Sequence, residues 1–327
     1  MQISSWQSQL RDTIRDPAVL LERLDIAAVD IPLATRSVAS FPVRVPMEYL
    51  GKIRKSDPGD PLLRQVLPLI DEDLERAGYT MDPLQEQAKL AAPGVLHKYH
   101  GRVLLITTAA CAIHCRYCFR RHFPYADNNA AIIDWSPALD YIGNDPGITE
   151  VILSGGDPLT LADDKLSNLV TRLGESRHLK RLRIHSRVPS VLPDRITSRL
   201  LEILTSCNLD IVLVNHCNHP NEIDARVQNV FNMIRTAGIT LLNQSVLLKD
   251  INDNAGVLTV LFEQLFSCGV LPYYLHMPDK VAGAGHYDVT LEAARLIMEE
   301  LRKKLPGYLV PRLVREVPGA PYKIPVI

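Results

Sequence analysis

Six short apolar runs, each followed by a stretch of helical spacing, constrain the fold of this chain more than any other feature. They are RVLLIT (102–107), EVILS (150–154), RLRIH (181–185), IVLV (211–214), LLNQSVLL (241–248) and YYLHM (273–277). The helical stretch after the sixth run is the clearest. Leu291, Ala294, Ile297, Met298, Leu301 and Leu305 mark one face of it, which Pro306-Gly307 then ends. Alternation of this kind predicts an α/β fold whose parallel sheet curls into a partial (βα)6 TIM-like barrel. Before residue 95 the pattern changes. WQSQLRDTIRD and AVLLERLDI are amphipathic patches, separated by proline-containing links such as DPGDPLL (57–63) and AAPG (91–94), and they predict an N-terminal helical extension. The expected organisation is an extension over 1–95, a barrel over 96–305 and a C-terminal segment over 306–327. There is no internal repeat and no low-complexity tract.

In barrels of this type the working residues gather at the carboxyl ends of the strands. Unusual polar residues stand at those ends here. Ser154-Gly155-Gly156-Asp157-Pro158 follows the second strand, Ser186-Arg187 the third, and Asn215-His216 with Asn218-His219 the fourth; Gln244 and Ser245 lie within the fifth. Taken alone, SGGDP reads as a turn, because Gly, Asp and Pro favour turns for steric reasons. His216 or His219 alone reads as a hydrogen-bonded structural histidine.

After the first strand comes CAIHCRYC (111–118), in which Cys111, Cys115 and Cys118 are spaced C-x3-C-x2-C. Iron-sulfur clusters are commonly held by four thiolates, so three close cysteines leave one coordination corner for something else. A structural zinc site is the alternative, with His114 or His122 completing the ligand set, although no second C-x2-C pair follows. Cys207, Cys217 and Cys268 stand alone and read as small buried hydrophobes.

Composition narrows the class. At 46% hydrophobic, 327 residues can bury a substantial core in one large domain plus an appendage. A formal net charge of -1 supplies no global attraction to nucleic acid or to an anionic membrane. No apolar run is long enough for a membrane span, and MQISSWQSQLRDTIRD lacks a signal-peptide core, so neither membrane nor export is expected. Six cysteines in a chain of this size do not form a secreted disulfide framework, and thiolate ligands need a reducing compartment. A cytoplasmic location is expected.

The cysteine spacing matches the signature of the radical S-adenosylmethionine (SAM) enzymes. The longer run RVLLITTAACAIHCRYCFRRHFP (102–124), with its basic Arg120-Arg121 after the third cysteine, resembles the lysine 2,3-aminomutase family, and the likeness extends over nearly the entire chain. That resemblance implies a [4Fe-4S] cluster on Cys111, Cys115 and Cys118, with SAM chelating the fourth iron. It implies that Ser154, Gly155, Gly156 and Asp157 meet the methionine amino group, and that Asn215, His216 and Gln244 line the SAM pocket. REVPGAPYKIPVI (315–327) resembles the segment Pro-Gly-x-x-x-Lys-x-Pro in which the family carries its pyridoxal phosphate (PLP) lysine, which places Lys323 in that role. By itself Lys323 would read as a solvated lysine, and Ala320-Pro321-Tyr322 replaces the family's usual glycine tract. A depressed pKa, from burial or a nearby cation, would expose the free amine that imine formation needs. Arg102, with Lys98 nearby, is expected to offer cations to the PLP phosphate.

For substrate, the resemblance puts Arg120 on the α-carboxylate, which a planar guanidinium fork binds well. Asp279 and Glu316 match the two acidic positions that hold the substrate ε-ammonium, with Glu316 standing where the metabolic lysine enzymes have Asp. Metabolic members continue beyond the PLP-lysine segment. This chain looks like the shorter bacterial form that serves elongation factor P modification. The implied reaction is conversion of L-α-lysine to (R)-β-lysine, with an electron donor such as flavodoxin or ferredoxin and a separate ligase that attaches the product to elongation factor P. Two other readings stay open at this point. One is a 2,3-aminomutase acting on glutamate or arginine; the other is a non-enzymatic zinc-binding module.

Overall fold

The computed structural model describes residues 5–125 and 135–326. Among these residues ten strands form a single sheet in which every strand neighbours the next in sequence. They are β1 (Leu90–Ala92), β2 (Val95–Tyr99), β3 (Arg102–Thr108), β4 (Glu150–Gly155), β5 (Arg181–Ser186), β6 (Asp210–His216), β7 (Thr240–Val246), β8 (Leu271–His276), β9 (Arg312–Arg315) and β10 (Ile324–Pro325). From β3 to β9 the pairing is parallel, whereas β1, β2 and β10 pair antiparallel at the two ends. All six apolar runs are strands, and the partial barrel is present. β9 is a seventh parallel strand that sequence reasoning missed. Its four residues, RLVR, bury only Leu313 and Val314, too short an apolar signal to stand out.

Crossovers between the parallel strands carry helices Ser136–Asn144, Asp163–Gly174, Ser198–Thr205, Ala225–Thr236, Ala255–Ser267 and Leu291–Lys304. Four of them start on side-chain caps: Thr197, Asp224, Asn254 and Thr290 each accept a backbone N–H of the first turn. Such caps satisfy donors that a helix start leaves unpaired, contributing about 1 kcal/mol each. The last helix buries Ala294, Met298 and Leu301 as its spacing predicts. Leu291 does not join that face. It is the first helical residue and is exposed, because the face reaches the sheet only one turn later.

Side chains alternate across each strand. One set, including Leu153, Leu182, Ile184, Leu213 and Leu241, packs against the crossover helices. Burying each such side chain contributes about 1.5–3 kcal/mol. The other set, including Ile152, Arg183, His185, Val212, Leu242 and Tyr274, faces a cavity inside the barrel. Register aligns the polar strand ends: Ser186 lies opposite Asn215, His216 opposite Gln244, and Val246 opposite His276.

The N-terminal region contains short helices Trp6–Arg11, Pro17–Arg23, Arg36–Ser40 and Met47–Leu50. Leu20, Leu21, Tyr49, Leu62 and Leu63 from this region belong to the same apolar core as the barrel. The sheet also crosses residue 95 through β1 and β2, and residue 306 through β9 and β10. Among the described residues, no helix is long and apolar enough to cross a membrane.

Candidate active site

A cavity of about 790 Å³ occupies the barrel interior, bounded at one end by the cysteine loop and at the other by β8, β9 and the C-terminal segment. Cys111, Cys115, Cys118, Ser154, Gly155, Gly156, Asp157, His216, Gln244, Lys98, Arg102, Arg120, Asp279, Glu316 and Lys323 all reach its wall. Asn215 does not. Its neighbour His216 faces the cavity, so strand alternation turns Asn215 to the other side. There it accepts from the Ser190 hydroxyl (3.0 Å) and donates to Asn243 Oδ1 (3.0 Å). The Asn215 side chain is thus engaged by Ser190 and Asn243, away from the cavity wall where a SAM contact was expected, while Asn218, a little farther along, lines the cavity.

The cysteine end is built by close backbone approach. Gly156 N–H donates to Thr108 O and Asp157 N–H to Ala110 O, both at 2.7 Å, which ties the segment entering the cysteine loop onto the end of β4. A Cβ on Gly156 would lie 2.3 Å from Ala110 O, and one on Gly155, whose φ is +115°, would lie 2.8 Å from Thr108 O. The glycines of SGGDP therefore make room for the chain that delivers Cys111. The Asp157 carboxylate faces inward. It accepts from the Ser186 hydroxyl (2.8 Å) and from the backbone N–H groups of Arg187 (2.8 Å), Leu159 (3.0 Å) and Val188 (3.3 Å). It joins the ends of β4 and β5.

The other end is a chain of alternating charges. Glu86, on no strand, accepts from Arg120 through both oxygens (2.6 and 2.9 Å) and from Lys98 (2.8 Å). Lys98 also reaches Glu316 (2.7 Å), whose second oxygen accepts from Lys323 (2.5 Å). Arg120 additionally donates to Ser154 Oγ (3.0 Å). Burial opposes charge on Glu86, yet Arg120 and then Lys98 hold its carboxyl below the usual range. Burial likewise opposes charge on Glu316, but Lys323 and Lys98 hold it far down. Burial and then the Glu316 charge push Asp279 up to about 7, against the opposing pull of Lys323 and Lys98. The close neighbour of Lys323 is thus a carboxylate, where a cation was one of the expected possibilities. Arg102 lies over the Tyr99 ring at 4.8 Å from its centroid.

Glu86 carried no sequence signal, because a single acid in a loop reads as solvated. His185 and His276 of the wall were also missed, whereas His216 was expected there. His185 and His216 pack edge to face, and His216 Nε2 is 2.8 Å from the Gln244 amide, which donates to it. Burial, then Arg187, Arg120 and Lys323, push His216 down to about 3, so it is a neutral acceptor.

The donor groups suit the three cofactors. Burial and then the neighbouring thiols push Cys118 up to about 11 and Cys111 well up, and all three cysteines line one end of the cavity, a donor set of the kind that holds an iron-sulfur cluster. The histidines that zinc would recruit are held elsewhere: His114 stacks on Phe41 and bonds Pro42 O (2.7 Å), and His122 bonds Ala282 O (3.1 Å). In the cavity wall, His185 Nε2, His276 Nε2 and Arg183 Nε are buried with no hydrogen-bond partner among the described residues. Buried polar atoms of this kind are normally satisfied, which fits a cavity that takes a polar ligand. Lys323 supplies a primary amine beside them.

Comparison with known proteins agrees. Residues 105–257 match the Radical SAM superfamily. The chain is 50% identical over 322 residues to an L-lysine 2,3-aminomutase of Escherichia coli K12, covering 98% of this chain and 94% of that one. It is 44% identical to the L-lysine 2,3-aminomutase of Haemophilus influenzae, covering 98% and 94%. With that of Clostridium subterminale it shares 35% identity, over 99% of this chain and 78% of the relative. Identity at this level over nearly the whole chain excludes a zinc-binding module. Working with a [4Fe-4S] cluster, SAM and PLP, this chain is an isomerase that belongs to the L-lysine 2,3-aminomutase family of radical SAM enzymes.

Proposed function

We propose that this chain converts L-α-lysine to (R)-β-lysine, and that a separate ligase attaches the product to elongation factor P. The observation that carries the substrate reading is the pair Asp279 and Glu316 in the same enclosed cavity as Arg120. A buried ammonium is costly unless paired with carboxylates, and a carboxylate needs a cation; the cavity provides both. A glutamate side chain would meet two like charges instead, which argues against that substrate. The relatives named above, all lysine aminomutases, support the same reading.

When bound, the cluster with SAM supplies a carbon radical able to take hydrogen from Cβ, and PLP supplies the π system that carries the migrating nitrogen. Cys111, Cys115 and Cys118 hold the cluster. His216 and Gln244 accept and donate on the SAM side, with Gly155 and Gly156 keeping the loop close. Lys323 anchors PLP through its amine, and Arg102 offers a cation to the phosphate. Lys98 serves the phosphate less directly, since it is already shared between Glu86 and Glu316. Arg120 presents its fork to the α-carboxylate, a role Glu86 now fills, while Asp279 and Glu316 receive the ε-ammonium, a role Lys323 now fills at Glu316. Internal ion pairs thus occupy both ends of the substrate site with matching charge. The enclosing walls keep water from the reacting carbon.

A one-electron donor such as flavodoxin or ferredoxin and a cytoplasmic, reducing setting complete this reading. The test is anaerobic incubation of reconstituted protein with SAM, dithionite, PLP and L-lysine, followed by chiral chromatography. Accumulation of (R)-β-lysine is expected; an intact cluster without β-lysine overturns the substrate assignment. For the last step, elongation factor P from cells lacking this chain should lose the mass of one β-lysyl group.

A further inference from the structure

We propose that Arg187 and Glu222 form a buried charge pair that tunes the reduction potential of the cluster through the sulfur of Cys115. Arg187 follows β5 directly, and its Nη1 lies 2.7 Å from Cys115 Sγ and 2.7 Å from the Tyr117 hydroxyl. Its Nη2 donates to Gln65 Oε1 (2.7 Å) and Glu222 Oε2 (3.0 Å). Its backbone N–H donates to Asp157, so the residue is fixed at both ends. Glu222 is fixed too, accepting the backbone N–H groups of Asn218 (2.9 Å) and His219 (3.1 Å). Both side chains are almost fully buried, at 5% and 0% exposure, so solvent and salt screen their charges weakly.

Adding an electron makes a cluster more negative, and hydrogen bonds and charges at its sulfurs set how costly that is. A guanidinium against Cys115 stabilises the reduced cluster and raises the potential. Glu222, as the partner of that guanidinium, offsets part of its field. The pair therefore acts in opposite directions on one quantity, and the sequence distance between its members hides it from any local motif. This inference rests on cluster binding by the three cysteines and is independent of the substrate.

The test is a mediated redox titration of the anaerobically reconstituted protein, with the reduced cluster followed by electron paramagnetic resonance and iron content measured separately. Arg187→Gln should shift the midpoint to more negative potential, with the reduction equilibrium falling at least tenfold, about 59 mV for a one-electron couple. Glu222→Gln should shift it to more positive potential. Arg187→Lys, which keeps charge but loses the fork, should lie between wild type and Arg187→Gln. Loosening of the fold alone would move the Gln variants in the same direction, and that result, or an unmoved potential in fully loaded protein, overturns the proposal. If Arg187→Gln takes up no iron, Glu222→Gln decides: a midpoint unchanged or more negative overturns it. A wild-type protein that binds no cluster would instead defeat the assignment of the cysteines.

Discussion

The two ends of the cavity are built on opposite electrostatic principles. At the cysteine end three groups of the same kind line one wall, and burial with the neighbouring thiols pushes Cys111 and Cys118 up, against ionisation. At the other end Arg120, Glu86, Lys98, Glu316 and Lys323 alternate in sign, and each charge is balanced by the next. One region sets the Arg187 guanidinium against Cys115 alone and leaves the rest of its charge balance to the cluster. The other already contains its own counterions and must exchange them for those of the ligand. Asp279 stands between the two cases, a carboxyl in the charged wall on which burial and Glu316 outweigh Lys323 and Lys98.

Substitutions can break this contrast. Cys115→Ala should abolish the cluster absorbance and all turnover, whereas Lys323→Ala should leave the absorbance unchanged, prevent covalent PLP capture and also stop turnover. Retained mutase activity in either variant would contradict the division of labour. Next in size is Glu86→Ala. Removing one partner from a buried pair leaves uncompensated charge and costs about 3–5 kcal/mol; urea unfolding would measure it. A loss under about 1 kcal/mol, the worth of an exposed pair, would mean that the alternating chain is not what supports this end.

Gly156→Ala should affect only the cysteine end. Its Cβ would meet Ala110 O at 2.3 Å, so the loop must shift, at about 1–3 kcal/mol, and iron loading should fall while PLP binding persists. The smallest effect is a pH dependence. Asp279 is raised to about 7 from an ordinary 3.8, so between those values the ligand-free folded protein holds a proton that the unfolded chain releases. Its contribution to stability therefore falls as pH rises through that window. A bound ammonium favours the ionised carboxylate, so the KM for lysine should decrease as pH rises through about 7. Asp279→Asn should flatten that profile; a profile unchanged by the substitution would remove Asp279 from the substrate site.

How much of this was legible differs between the ends. CAIHCRYC announces itself in eight consecutive residues, because a cluster needs its thiolates within a few ångströms and a short loop is the simplest way to supply them. Lys323 was legible only through the proline and glycine pattern around it. Glu86 was not legible at all, although it pairs with both Arg120 and Lys98. Asn215 misled because it and His216 are both polar, so alternation along β6 gave no polarity contrast to tell the cavity face from the helix face. Arg187 was visible as a strand-end polar residue, but its contacts with Cys115 and Glu222 come from three separate segments of the chain.

The sequence by itself determined the six-strand alternation, the helix between each pair of strands and the three-cysteine loop, since periodicity and ligand spacing are local properties. Only the tertiary structure decided which carboxylate meets which cation, which of two adjacent polar residues faces the cavity and which arginine touches a cluster cysteine. Those outcomes depend on barrel register and on close approach of the N-terminal, strand-end and C-terminal segments. Pairing of charges acts through space between segments far apart in the chain, and spacing along the chain carries no record of it.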